Sequence, residues 1–96
     1  GGDDQMGPAC ENADRIARRL AEHGHPHPVV NLCYPGAGHA IALPYLPTSP
    51  VGQGPFLLGG TAPENVRANA DSWPRVLAFL GEALLGRQES NLQPPR

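Results

Sequence analysis

One run in this chain has the character of a buried strand: Val29-Val30-Asn31-Leu32-Cys33-Tyr34, β-branched and apolar, closed by Pro35 and Gly36. A strand apolar on both faces belongs to a parallel sheet, and its backbone must hydrogen-bond along both edges. No second run of that kind supplies a neighbour. Gly1 to Asp4 reads as the C-terminal tip of another strand whose body is missing. The chain is therefore expected to be the last portion of a larger α/β sheet domain, contributing one full strand, and not a domain complete in itself.

The flanking segments fit that picture. From Ala9 to His23 the residues Cys10, Ala13, Ile16, Ala17 and Leu20 recur at three- and four-residue spacing between charged residues, which predicts an amphipathic helix. Pro8 suits its first turn and Gly24 its left-handed exit. Thr61-Ala62-Pro63-Glu64 matches a capping box and starts a second helix with the apolar stripe Val66, Ala70, Trp73, Leu77, Leu80 and Leu84. Trp73 reads as a core anchor of that helix. Pro74 predicts a kink or a break, with Ser72 re-capping the second half. Between strand and second helix, Ala37 to Gly60 reads as a long irregular excursion, although Phe56-Leu57-Leu58 has the look of a strand stub. The segment Ala40 to Phe56 suits either a cover over a pocket or plain surface loop. From Gly86 to Arg96 no periodicity remains and a frayed, disordered tail is expected.

Composition narrows the partners. A chain of 96 residues is one domain at most, and it buries only about two-thirds of its unfolded surface. The net charge of −2 and the lack of a basic patch interleaved with aromatics argue against nucleic acid. Arg15, Arg18 and Arg19 read as the wet face of the first helix. No apolar run approaches the roughly 20 residues that span a bilayer. Cys10 and Cys33 are too few and too far apart for a disulfide framework or a zinc knuckle, so two buried thiols and a reducing, cytoplasmic setting are expected.

Three constellations are candidates for chemistry. The opening Gly-Gly-Asp-Asp resembles metal-binding turns of nucleotide cyclases and polymerases, but those need an apolar strand on each side, and nothing basic here would meet phosphates. His23, His25 and His27 alternate, yet a structural zinc site wants four tetrahedral ligands and the intervening prolines splay the rings. A helix-to-strand turn with His23 at the negative end of the helix dipole accounts for them, and neither metal nor cofactor is expected. Asp71, Glu82 and Glu89 read as solvated. The third constellation is Pro35-Gly36-Ala37-Gly38-His39, a histidine on a glycine-rich loop just past the strand. Loops beyond the C-terminal strand ends are where catalysis sits in open α/β sheets. Two successive parallel strands would bring Asp4 and His39 to one rim, in the Asp-then-His order found late in α/β-hydrolases.

Asp3-Asp4-Gln5, Leu20 to Gly24, Cys33-Tyr34-Pro35-Gly36-Ala37-Gly38-His39, Pro44-Tyr45, Gly59-Gly60 and Ala70-Asp71-Ser72-Trp73 form an ordered set. Together they resemble the C-terminal domain shared by acyl-CoA thioesterases and bile acid-CoA:amino acid N-acyltransferases, over residues 1–85. The resemblance implies the C-terminal part of an α/β-hydrolase fold: helix, parallel strand, long loop, C-terminal helix, with the sheet incomplete in this chain. It also implies an acyl-CoA substrate and a nucleophile–His–Asp triad, with His39 as general base, Asp4 as its orienting acid and Asp3 in reserve. The sequence departs from the family pattern at Gly7-Pro8, where relatives commonly place an aromatic residue.

No nucleophile elbow of the Gly-x-Ser-x-Gly type is present, and none of Ser49, Ser72, Ser90, Cys10 and Cys33 is expected to replace it. The chain is thus expected to lack turnover by itself. A fragment of another α/β-hydrolase, dienelactone-hydrolase-like or peptidase-like, and a non-catalytic binding fragment are the alternatives. Whether water or an amino acid resolves the acyl-enzyme depends on residues upstream.

Overall fold

The computed structural model describes residues 1–41, 52–53 and 56–85. Most of the excursion and of the segment 40–56, and the whole tail from Gly86, lie outside the described residues. The elements run α1 (Ala9–Glu22), β1 (Gly52–Gln53), β2 (Phe56–Leu57) and α2 (Ala62–Leu80), and α2 passes directly into a π-helical turn, Gly81–Leu85. No helix among the described residues is long and apolar enough to cross a membrane.

α1 follows its sequence signals closely. Pro8 stands one place earlier than expected, at the N-cap, and Glu11 lies in the positive first turn. At the other end Gly24 adopts φ +64°. Its N–H donates to the Ala21 carbonyl at 3.1 Å and that of His25 to Leu20 at 3.0 Å, the paired bonds of a Schellman exit. The His23 ring Nδ1 lies 2.9 Å from the Arg19 carbonyl, so this imidazole serves the helix terminus. His25 and His27 pack edge to face with centroids 5.5 Å apart. Among the described residues, no group of three or more His, Cys, Asp or Glu side chains is arranged to hold a metal ion.

Residues 29–34 correct the expectation of a buried parallel strand. The segment alternates as a strand does, odd positions facing one helix and even positions the other. Asn31 Nδ2 donates to Asp14 Oδ1 at 2.8 Å and Cys33 is joined to Cys10, both on α1. Val30 and Leu32 line a cleft of about 150 Å³ with Arg75, Val76, Phe79 and Leu80 of α2. The hydroxyl of Tyr34 donates to Asp71 Oδ2 at 2.6 Å. Among the described residues, however, the backbone from Val29 to Cys33 makes no hydrogen bond, and Val30 is 60% exposed. The two-faced pattern is present, but no strand forms: among the described residues segment 1–5 meets it only at Tyr34, and nothing pairs with the backbone of residues 29–33. What sheet pairing exists is antiparallel: β1 pairs with β2, Gly52 opposite Leu57 and Gln53 opposite Phe56. The stub at Phe56-Leu57 is therefore a real strand inside what was expected to be irregular chain.

The cysteines also depart from expectation. Cys10 and Cys33 form a disulfide with their Cα atoms 5.6 Å apart. Cys10 and Asp14 lie one helical turn apart on α1, Asn31 and Cys33 two residues apart on the extended segment, so the two cross-links run side by side. With both thiols in this bond, the cysteines no longer point to a reducing compartment.

α2 begins as its capping residues dictate, with Thr61 extended at the N-cap and its hydroxyl accepting from the Glu64 amide at 3.4 Å. Only half of the capping box forms, because Glu64 turns to Arg67 instead, Oε1 to Nη1 2.6 Å. Pro74 neither breaks nor ends the helix, which runs unbroken over 19 residues. The carbonyl of Ala70, deprived of its donor, sits at an exposed position where water can serve it. Ser72 Oγ bonds the Asn69 carbonyl at 3.4 Å within the helix and caps nothing. The face of α2 that is buried is not the apolar stripe. Leu77 is 52% exposed and Trp73 half-buried, while Asn65, Ala68 and Asn69 are buried. The stripe is covered only in part, Leu80 meeting Val30 and Leu32 across the cleft, whereas the Asn65 face meets the loop that carries His39.

Candidate active site

The Asp-Asp pair and the glycine-rich loop meet at one place, where three segments cross. The 1–5 segment lies between loop 34–39 and the chain at 58–60. Gly2 N–H donates to the Tyr34 carbonyl at 2.7 Å and Asp3 N–H to Ala37 at 2.9 Å. On the other side Asp4 pairs with Gly59 in a single antiparallel bridge. One carbonyl joins the two candidate residues: that of Leu58 accepts from His39 N–H at 2.8 Å and from Gln5 N–H at 3.3 Å. The backbones next to the acid and the base thus hang from the same oxygen.

Gly59 and Gly60 make the crossing close enough. Their φ angles are +78° and +72°, a region side chains with a Cβ rarely adopt. A Cβ on Gly60 would also lie 2.7 Å from Asn65 Oδ1. The pair turns the chain from the Asp4 bridge into the N-cap of α2.

Within this frame the two aspartates separate. Asp3 uses both carboxylate oxygens on the chain itself, Oδ2 accepting from Gly60 N–H at 3.0 Å and Oδ1 from Gln5 Nε2 at 3.2 Å. Asp4 Oδ1 accepts from Met6 N–H at 2.8 Å, an Asx-type turn that fixes the carboxylate plane. Its Oδ2 lies 3.0 Å from His39 Nδ1. Asp4 is the carboxylate that reaches the imidazole, and Asp3 is the clamp that holds the turn.

The electrostatics follow from exposure. The Asp4 side chain is 6% exposed and that of His39 is 54% exposed. Burial pushes the Asp4 carboxyl up, but the His39 hydrogen bond, the Met6 amide and the nearby positive charges outweigh it and hold Asp4 below the usual carboxylate range. A carboxylate only accepts, so this contact requires the proton on His39 Nδ1 and leaves the Nε2 lone pair free on the exposed side. The arrangement can take a proton from a group brought to Nε2 while Asp4 steadies the resulting cation.

The depressed Asp4 value has a consequence for stability. A carboxyl whose folded pKa lies below its unfolded one stabilises the fold above the unfolded value, about 4. That contribution is lost as pH falls through the lower folded value. Urea unfolding followed between pH 6 and pH 2.5 is expected to show a steep acid loss in the unaltered chain and a shallower one in Asp4→Asn. Equal acid slopes would contradict the shift.

Several supporting residues carry no sequence signal of function. Asn65 is fully buried, and its Oδ1 accepts from Gly38 N–H at 2.8 Å. Asp71, expected to be solvated, accepts from both Tyr34 and Arg75, the latter with Nε to Oδ2 at 3.0 Å. The hydrogen bond from Tyr34 and the charge of Arg75 lower the Asp71 pKa, while burial and the same carboxylate raise that of Tyr34. This cluster bolts the start of the His39 loop to α2. The i,i+4 spacing of Asp71 and Arg75 is a signal for their own pairing; Tyr34 and Asp71 stand in the motifs that carry the resemblance, but nothing in the sequence pairs the two. Neither cysteine is a free thiol, and Ser72 is engaged inside α2. Ser49 and Ser90 lie outside the described residues.

Comparison with known proteins bears on the family. Residues 1–86 match the family model described as BAAT / acyl-CoA thioester hydrolase C terminal. Acyl-coenzyme A thioesterase 5 of Mus musculus is 35% identical over 79 residues, 77% of this chain and 18% of the relative. Peroxisomal succinyl-coenzyme A thioesterase of Mus musculus is 37% identical over 71 residues, 69% of this chain and 17% of the relative. Acyl-coenzyme A thioesterase 6 of Homo sapiens is 32% identical over 94 residues, covering 92% of this chain and 22% of its own length. The chain thus spans about a fifth of the length of these curated relatives. No solved structure matches it significantly. By the match over nearly its whole length, and by relatives that share a third of its residues, the chain belongs to the acyl-CoA thioester hydrolase C-terminal family.

Proposed function

We propose that this chain is the acid–base portion of an acyl-CoA thioester hydrolase, with His39 as general base and Asp4 as its orienting acid. The observation that carries the reading is the 3.0 Å contact between His39 Nδ1 and Asp4 Oδ2, with no partner for the far nitrogen of this exposed ring among the described residues. In the reaction, His39 Nε2 takes the proton of a hydroxyl or thiol nucleophile as that atom attacks the thioester carbonyl. The imidazolium then protonates the departing thiolate of coenzyme A, and Asp4 stabilises the cation between the two steps. Water, activated by the same nitrogen, releases the acyl group.

The nucleophile and the oxyanion donors come from outside this segment. Cys10 and Cys33 are consumed in their disulfide, and Ser72 donates to a helix carbonyl. Release of free coenzyme A from palmitoyl-CoA is the test. The 96-residue chain by itself is expected to show no turnover above background. Turnover by the chain that vanishes in His39→Ala would place the nucleophile within it and overturn the division proposed here; turnover by a longer polypeptide that survives His39→Ala would remove the base.

A further inference from the structure

We propose that Asn65 is the residue that positions His39, acting through the amide of Gly38; this rests on the reading of His39 and Asp4 as a base–acid pair. Three consecutive amides of the loop are each held from a different direction. Ala37 N–H donates to the Tyr34 carbonyl at 3.1 Å, Gly38 N–H to Asn65 Oδ1 at 2.8 Å and His39 N–H to the Leu58 carbonyl at 2.8 Å. The first acceptor belongs to the loop itself and the third to the chain entering the glycine turn. The Asn65 bond alone among these three comes from a side chain and from α2.

Asn65 is well placed to be a fixed point. Its own N–H closes the first helical bond of α2, to the Thr61 carbonyl at 2.9 Å, and the residue is 0% exposed. Gly38 is buried against it, and the glycine turn at Gly60 leaves no room for a Cβ between them. The peptide that precedes His39 is thereby held at both of its neighbouring amides, which sets the direction in which the His39 side chain leaves the backbone. With the Gly38 bond gone, the Ala37–Gly38 peptide keeps only its bond from Asp3 N–H to the Ala37 carbonyl at 2.9 Å, so it can tilt about that bond and the imidazole loses its fixed approach to Asp4.

Side-chain packing does not account for an asparagine here. Its Nδ2 is buried with no partner among the described residues, and an unmatched donor in such a place disfavours the folded state relative to an apolar side chain. What the amide contributes is an acceptor aimed at one particular N–H. Asn65 is a positioning residue, since it touches the loop and not the reacting atoms.

Two readouts on the full 96-residue chain test this by NMR: hydrogen exchange of the Gly38 amide and titration of the Asp4 carboxyl carbon. In Asn65→Ala, Gly38 exchange is expected to accelerate at least tenfold and the Asp4 titration to move up toward the usual carboxylate range. Asn65→Ser, whose hydroxyl is too short to reach Gly38, is expected to do the same and serves if the alanine variant does not fold. A folded variant in which Asp4 titrates as in the unaltered chain would reduce Asn65 to a packing role. Should neither variant fold, the unaltered chain decides: a Gly38 amide that exchanges as fast as an exposed one overturns the proposal, and a protected one supports it. Neither readout involves turnover, so failure here leaves the acyl-CoA reading to its own assay, and a silent assay leaves this result readable.

Discussion

Under the proposed function, Asp4→Asn in a polypeptide that carries this segment and hydrolyses acyl-CoA is expected to lower kcat by about 10,000-fold, with KM for the acyl-CoA changed by no more than a few-fold. The substitution keeps the shape of the side chain and an acceptor for the Met6 amide, so the turn survives. What changes is the partner of His39 Nδ1. A carboxylate accepts only, and so holds the proton on Nδ1; an amide can present its NH₂ group instead and favour the tautomer in which Nε2 carries the proton and is no longer a base. His39→Ala removes the base itself and is expected to cost on the order of 10⁵ to 10⁶ in kcat. Asp3→Asn is the control, because that carboxylate bonds Gly60 and Gln5 and not the imidazole. It is expected to lower the melting temperature while leaving kcat of the folded enzyme within a few-fold. If Asp3→Asn instead gave the large kinetic loss and Asp4→Asn the small one, the acid would have to be reassigned.

Reduction of the Cys10–Cys33 bond is expected to lower the unfolding free energy by about 3 kcal/mol, as is Cys10→Ser. The two cysteines lie 23 residues apart in sequence, and a cross-link of that span removes most of its worth from the unfolded chain by forbidding its open conformations. In the folded chain the effect is concentrated on α1. With the cross-link gone, the 2.8 Å bond from Asn31 to Asp14 is the remaining side-chain hydrogen bond between that helix and segment 29–34. A single exposed bond of this kind contributes only about 1 kcal/mol. For a domain whose total stability is on the order of 5–15 kcal/mol, the loss is a large fraction. Urea unfolding monitored by circular dichroism, with and without reductant, measures it. A change below about 1 kcal/mol would mean that α1 is held chiefly by contacts other than the cross-link.

What could be read from the residues alone was local. α1 and its left-handed exit at Gly24, and the start of α2 at Thr61, depend on helical spacing and on caps made within a few residues of the terminus. The meeting of an Asp with His39 was also expected from the sequence, and the contact forms, but through the bonds of segment 1–5 to loop 34–39 and to residues 58–59 and not between two parallel strands. The extended, two-faced character of residues 29–34 was legible too, from its apolar composition.

What tertiary structure decided depends on groups distant in sequence. Asp4 was separated from Asp3 by Gly60 and His39, residues more than thirty positions away, which engage one carboxylate each. Asn65 reads as an ordinary polar helical residue until Gly38 is placed beside it, 27 positions upstream. The disulfide required α1 and the extended segment to pack in one particular register. The strand failed to form for the converse reason: side-chain pattern belongs to the segment, but backbone pairing belongs to its neighbours, and among the described residues none pairs with the backbone of residues 29–33.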